Sequence, residues 1–193
     1  YQTFLFNLDS NNGGIYIEQD GNYYTYQRTA SESIYTLQEL ARHEYTHYII
    51  ERYLVSGMWG ETPIYSNNRM VFFDEGMAEF FAGSTPRNDV ALRYSLISQI
   101  KSDGTSRLNI AQVVTSTYGD FKFYRYAGVF FHFLSKQHLD LMQQLMAAAG
   151  ASIPSNFDAI VNQMKANSSL DSEYSRYLDA AVQNLSQIGT PTT

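Results

Sequence analysis

The hydrophobic positions along the chain change period once. From residue 3 to 28 they alternate, so that "TFLFNL", "GGIYIEQ" and "NYYTYQR" read as short strands, with Ile15 and Ile17 in step and Tyr16 and Glu18 out of it. "DSNNGG" and "QDGN" supply turn chemistry between them. From Thr29 the spacing becomes helical. "TASE" has the form of a capping box, with Thr29 as N-cap and Glu32 three residues on. Ile34, Leu37, Leu40, Ala41, Tyr48 and Ile49 then mark one face of a helix that ends near Gly57. "GMWGETPIYSNNR" reads as a loop anchored by Trp59. A second helix is predicted from Met70 to Ala82, stopped by Gly83, and further helices over 91–101, 109–117, 123–147, 155–166 and 170–186. Strands first and helices after predict an α+β fold, a single unit over 1–193 with a frayed tail at 187–193.

Composition narrows the function classes. A chain of 193 residues that is 44% hydrophobic can bury one real core. Its 16 Tyr and 12 Phe suit surfaces that are half buried and half wet, binding clefts included. A net charge of −6 argues against a nucleic-acid partner and leaves cations and neutral or basic polymers. With no cysteine, a disulfide scaffold and a thiolate-held metal are both excluded. No apolar run approaches the roughly 20 residues that cross a bilayer, so no membrane partner is expected. The opening "YQTFLFNL" lacks Met and already lies inside an apolar segment, as expected of a piece of a larger protein.

The chemistry is concentrated in "ARHEYTHYII". On a helix, positions four apart lie nearly above one another, so His43 and His47 can share a metal, and two imidazoles suit Zn²⁺. Glu44, turned by about 100° from His43, falls beside the open coordination position, where it can take a proton from the attacking water. Two histidines do not close such a site. "FFDEGMAEFFAGS" repeats the spacing with Glu75 and Glu79 on a helix that Phe72, Phe73, Met77, Phe80 and Phe81 make apolar around much of its circumference. Carboxylates on so buried a helix need a partner. A crossing helix could deliver Glu75 as third ligand, and Glu79, one turn on, could accept a hydrogen bond from the far nitrogen of a ligating histidine. Asp74 is expected to point elsewhere, to solvent or a nearby cation, and His132 and His138, six apart, to be structural or exposed. Gly13 and Gly14 have the bland reading of a turn. Their functional reading is that a missing Cβ lets a substrate strand lie against this edge.

"NNGGIYIE", "SIYTLQELARHEYTHYI", "FFDEGMAEFFAGS" and "YGDFKFYRYA" together resemble the peptidase domain of bacterial collagenases, gluzincin metallopeptidases of the clostridial and Vibrio type. The resemblance runs from about residue 5 to 185. It implies a thermolysin-like active-site fold, with a small twisted sheet whose edge strand lies over the cleft, the two zinc-site helices, and a helical C-terminal part. It implies His43, His47 and Glu75 as zinc ligands, Glu44 as general base and Glu79 behind the ligands. Tyr126 is the implied donor to the tetrahedral intermediate, with Tyr124 as the alternative register. A structural Ca²⁺ is implied on Glu18 and the backbone carbonyls of Glu51, Val55 and Gly57. The implied function is zinc-dependent hydrolysis of collagen, gelatin or other extended peptides before Gly in Gly-Pro-rich sequence, by a secreted protein taken as a monomer. Two other functions compete: a general gluzincin endopeptidase or aminopeptidase without collagen preference, and a non-catalytic, zinc-stabilised binding module.

Overall fold

The structure is a computed structural model and describes residues 14–26, 29, 33, 35–55, 57, 61–87 and 89–189. The first predicted strand, Gly13 and Trp59 lie outside these residues. Strands β1 (Gly14–Ile17) and β2 (Asn22–Thr25) pair antiparallel, with Ile15 opposite Tyr24 and Tyr16 opposite Tyr23. Gly21, at φ 61°, makes the turn between them. Among the described residues the α-helices that follow are α1 (Leu37–Ile49), α2 (Val71–Phe81), α3 (Tyr94–Ser102), α4 (Ile110–Val114), α5 (Lys122–Gln137), α6 (Leu139–Gly150), α7 (Pro154–Ala166) and α8 (Ser168–Gln183). The described part is thus mostly helical with a small two-stranded sheet, compatible with α+β. Among the described residues no helix is long and apolar enough to cross a membrane.

Helix α1 starts seven residues later than its first capping box predicts. The working box is "TLQE": the Thr36 hydroxyl accepts from the Glu39 amide at 3.2 Å, and the Glu39 carboxylate takes the Thr36 amide at 2.7 Å. The Thr29 carbonyl instead accepts a turn bond from the Ser33 amide. The apolar face predicted for α1 is not its buried face. Leu37 and Ile49 are exposed, whereas Glu39, Glu44 and Thr46 are buried. The helix turns its chemistry inward and continues as one π turn, Ile50–Leu54, closed by the Val55 amide on the Ile50 carbonyl.

Helix α2 is buried along nearly its whole length and packs on α5. Two glycines allow the close approach. A Cβ on Gly76 would stand 2.7 Å from the Phe131 ring, and one on Gly128 would stand 2.6 Å from Glu79 Cβ. Phe72, Phe73, Phe131 and Phe157 fill the space beside this contact with stacked, tilted and edge-on ring pairs. The helix predicted over 123–147 is two helices, because the chain leaves helical geometry at His138 (φ −140°, ψ 49°), whose Nε2 lies 2.8 Å from Glu173. Leu185–Gln187 forms a 3₁₀ turn leading into the predicted tail, of which residues 190–193 lie outside the described part.

Candidate metal centre

Helices α1 and α2 cross so that His43, His47 and Glu75 converge. His43 Nε2 lies 3.2 Å from His47 Nε2 and 3.3 Å from Glu75 Oε2, and His47 Nε2 lies 3.6 Å from that same oxygen. Among the described residues this is the group of three side chains able to hold a metal ion. The triangle has the right size for zinc. Ligand atoms about 2.0–2.1 Å from a tetrahedral ion stand about 3.3–3.4 Å apart.

The charges also ask for a cation. Burial pulls the His43 imidazole down, but hydrogen bonds to Glu75 and Glu79 win and push it up to about 10. Burial raises Glu75, yet the facing histidines hold its carboxyl well below the usual range. A site that concentrates negative charge on two imidazoles fits a divalent ion in the proton's place.

Glu44 is buried beside this triangle, next in line on α1. Burial raises its carboxyl, while His43 and His47 pull it back, and the Tyr16 amide of β1 donates to it. Gly14 of β1 leaves the room for it: a Cβ there would meet Glu44 Oε1 at 2.6 Å. The small sheet is thereby locked onto the candidate base.

Behind His43, Nδ1 lies 3.2 Å from Glu79 Oε1. The other Glu79 oxygen takes a hydrogen bond from Arg93 at 2.7 Å, and Arg93 Nε donates to Glu39 at 2.9 Å. Burial raises Glu79, and the Arg93 charge, together with His43 and the Arg93 hydrogen bond, brings its carboxyl below the usual range.

Compared with known proteins, the chain matches the collagenase family, peptidase family M9, over residues 1–177. The chain belongs to this collagenase family. It is 40% identical to Collagenase ColA of Bacillus cereus over 187 residues, 97% of this chain and 20% of that protein. It is 34% identical to Collagenase ColA of Clostridium perfringens over 184 residues, 95% of this chain and 17% of that protein. Against the Microbial collagenase of Vibrio alginolyticus the identity is 24% over 194 residues, 95% of this chain and 22% of that protein. This collagenase-family chain therefore spans about a fifth of the length of these relatives.

The structure does not bring Tyr126 to the cluster. Its ring is wholly buried and its hydroxyl donates to Asp103 at 2.6 Å. Two positions along a helix is a turn of about 200°, and the alternative register is the one that faces the site. Tyr124 and Tyr118 both stand near Glu75: burial, with the Glu75 charge next, raises both phenols.

Asp74 does not point to solvent. It is buried, neither of its carboxylate oxygens finds a donor among the described residues, and burial, with Glu75 and Glu51 adding, pushes its carboxyl well up. His132 is structural, set between the Tyr177 hydroxyl and the Val90 carbonyl. At the predicted calcium position, the Glu18 charge acts on Glu51. Burial first, and then charges that include Glu18, lift the Glu51 carboxyl to about 7, and its Oε2 is buried without a hydrogen-bond partner. Val55 is buried and Gly57 adopts φ 100° beside Thr62.

Three contributors escaped the sequence reading: Arg93, Glu39 and Tyr118. Arg93 left one signal, a lone cation within the apolar run "VALRYSLI", which calls for buried carboxylates.

Proposed function

We propose that this domain is the catalytic unit of a secreted, zinc-dependent endopeptidase of thermolysin-like architecture that cuts collagen- and gelatin-type peptides before glycine. The observation that carries the reading is the His43, His47 and Glu75 triangle, of zinc-ligand size, with Glu44 buried at its side. Family membership supports the collagenase class of substrate.

A zinc ion held by this triad would polarise the scissile carbonyl and lower the pKa of the attacking water. Glu44, pinned by the Tyr16 amide, takes that water's proton and returns it to the leaving amine. Tyr124 is the phenol placed to donate to the developing oxyanion, as the neighbour of Glu75 on the α5 side. Substrate lies extended along the β1 edge, near Gly13 and Gly14, in reach of Glu44. A collagen triple helix is wider than one cleft of this size, so single strands are the expected substrates of this domain alone. Glu18, with the carbonyls of Glu51, Val55 and Gly57, is the proposed calcium site, joining the end of α1 to the sheet.

The test pairs metal content with gelatin cleavage for the wild type, Glu44→Ala and Glu75→Ala. The expected result is one zinc per wild-type chain, zinc retained without turnover in Glu44→Ala, and zinc lost in Glu75→Ala. A wild type that binds zinc but never cleaves any peptide would make the domain a zinc-stabilised binding module. Casein cut as fast as gelatin would make it a general gluzincin peptidase.

A further inference from the structure

One buried cation is not explained by the reaction. Arg93 is 2% exposed, at the foot of α3, and no reacting group touches it. Burying a guanidinium costs several kcal/mol unless its donors are used. Here they are used in a definite order. Nε donates to Glu39 Oε1 at 2.9 Å. One terminal nitrogen donates to Glu79 Oε2 at 2.7 Å and to the Glu79 carbonyl at 3.1 Å. The Tyr35 ring lies against the guanidinium, 5.0 Å from its carbon.

Each carboxylate is also shared. The second oxygen of Glu39 binds the amide and hydroxyl of Thr36, at 2.7 and 3.0 Å, and so closes the N-terminus of α1. The second oxygen of Glu79 takes His43 Nδ1 at 3.2 Å. A continuous path thus runs from the cap of the histidine helix, through Glu39, Arg93 and Glu79, back to the same helix at His43, one turn beyond Glu39. Chain geometry holds the arginine in place. After α2 a short loop returns, with Ser84 bridged to Val90 and the Ala91 amide on the Gly83 carbonyl. A Cβ on Gly83 would meet the Ala91 carbonyl oxygen at 2.4 Å, so this return requires glycine.

We propose that Arg93 is a positioning residue of the metal centre: it fixes the Glu79 carboxylate on His43 Nδ1–H, and so aims His43 Nε2 at the ion. The inference rests on the zinc reading above for its purpose, and on the contacts alone for its geometry. The charges agree with it. Glu39 and Glu79 place two negative charges on one guanidinium, and the remaining one is left for the His43 side. Without Arg93, Glu79 keeps its place on α2 but loses the fork that orients it.

Zinc affinity by chelator competition is measured for the wild type, Arg93→Gln, Glu79→Gln and the double variant. Arg93→Gln should bind zinc about ten- to a hundredfold more weakly. In the Glu79→Gln background the same substitution should change affinity less than about twofold, because the two act in series. Equal affinity of Arg93→Gln and wild type, or the same loss in both backgrounds, would overturn the proposal. Arg93→Lys keeps the charge without the fork and should recover only part of the loss; if Arg93→Gln does not fold, the cycle is run with Arg93→Lys. A metal-free readout is the His43 ring N–H proton in NMR. It should be downfield in the wild type and shifted or lost in Arg93→Gln, and an unmoved signal counts against Arg93. The NMR result stands whether or not the wild type binds zinc or cleaves gelatin, so failure of the peptidase reading is seen separately.

Discussion

Gly14 touches Glu44 more closely than any other residue type could: a Cβ at position 14 would stand 2.6 Å from the Glu44 carboxylate oxygen and 3.0 Å from its Cγ. The strand edge and the candidate base therefore share one volume. Gly14→Ala is expected to push the carboxylate off the Tyr16 amide. Turnover of a gelatin peptide should fall about ten- to a hundredfold or more, in line with losing a positioned general base. Zinc content should stay at the wild-type level, because neither histidine nor Glu75 is touched. Loss of zinc together with activity would show instead that the contact supports the whole site.

The second glycine contact lies behind the metal centre. A Cβ on Gly128 would meet Glu79 Cβ at 2.6 Å, with Leu96 closing the other side at 3.4 Å. Gly128→Ala should force α5 away from α2 and cost about 1–3 kcal/mol of stability, seen as a lower denaturant midpoint. Because Glu79 holds His43 Nδ1, zinc affinity should fall as well. A stability loss with unchanged zinc affinity would show that the helices separate without moving Glu79.

Tyrosine substitutions separate the two registers on α5. Tyr124→Phe should lower kcat about ten- to a thousandfold with little change in KM, the signature of a donor that acts on the transition state. Tyr126→Phe should leave kcat intact. It removes a hydrogen bond to the Asp103 carboxylate, which Arg125 also holds at 2.7 Å, and should cost about 1–3 kcal/mol of stability. The reverse pattern in the two variants would return the assignment to Tyr126.

What the sequence made legible follows from how local each feature is. The His43, Glu44 and His47 set is one helical turn, and Glu75 and Glu79 another, so spacing alone gave their faces. Placing Tyr124 rather than Tyr126 toward the site needs the rotation of α5 on α2, which is set by Gly76 against Phe131 and Gly128 against Glu79. Neither contact has a local signal. The start of α1 was ambiguous for the same reason. "TASE" and "TLQE" both fit the capping-box pattern, and the second has in addition an arginine 54 residues further on, holding the other Glu39 oxygen. The exposed Leu37 and Ile49 show the limit of periodicity on a helix whose inward face is chemical rather than apolar. Asp74 is buried rather than turned to solvent, and the sequence, which offers a metal to account for Glu75, carries no reason to bury a second acid beside it.

His132 should give the fold an acid-side weakness unrelated to the metal. Burial, with Lys136 adding, lowers its pKa to about 4, against a hydrogen bond to Val90 that raises it. An unfolded histidine titrates near about 6.5. Between these values the unfolded chain holds the extra proton, so stability is level above pH of about 6.5 and falls as pH drops toward about 4. The loss should reach roughly 2–3 kcal/mol. Urea melts at about pH 7 and about pH 5 for wild type and His132→Gln check it. A slope in this window that His132→Gln leaves unchanged would assign it to other groups.

Calcium should stabilise this domain through the end of α1. The π turn Ile50–Leu54 carries Glu51 toward Glu18, and two half-buried acid groups, with a buried unpartnered oxygen on Glu51, gain most from a hard cation with oxygen ligands. Saturating Ca²⁺ at about 100 times its dissociation constant should add about 2.7 kcal/mol and raise the melting temperature by several degrees. Glu18→Gln should abolish most of that rise while leaving zinc content unchanged. Magnesium at the same concentration should do less, since it holds its water shell more tightly and demands octahedral geometry. A melting temperature indifferent to Ca²⁺ in the wild type would remove Glu18, and the carbonyls of Glu51, Val55 and Gly57 with it, from the list of ligands.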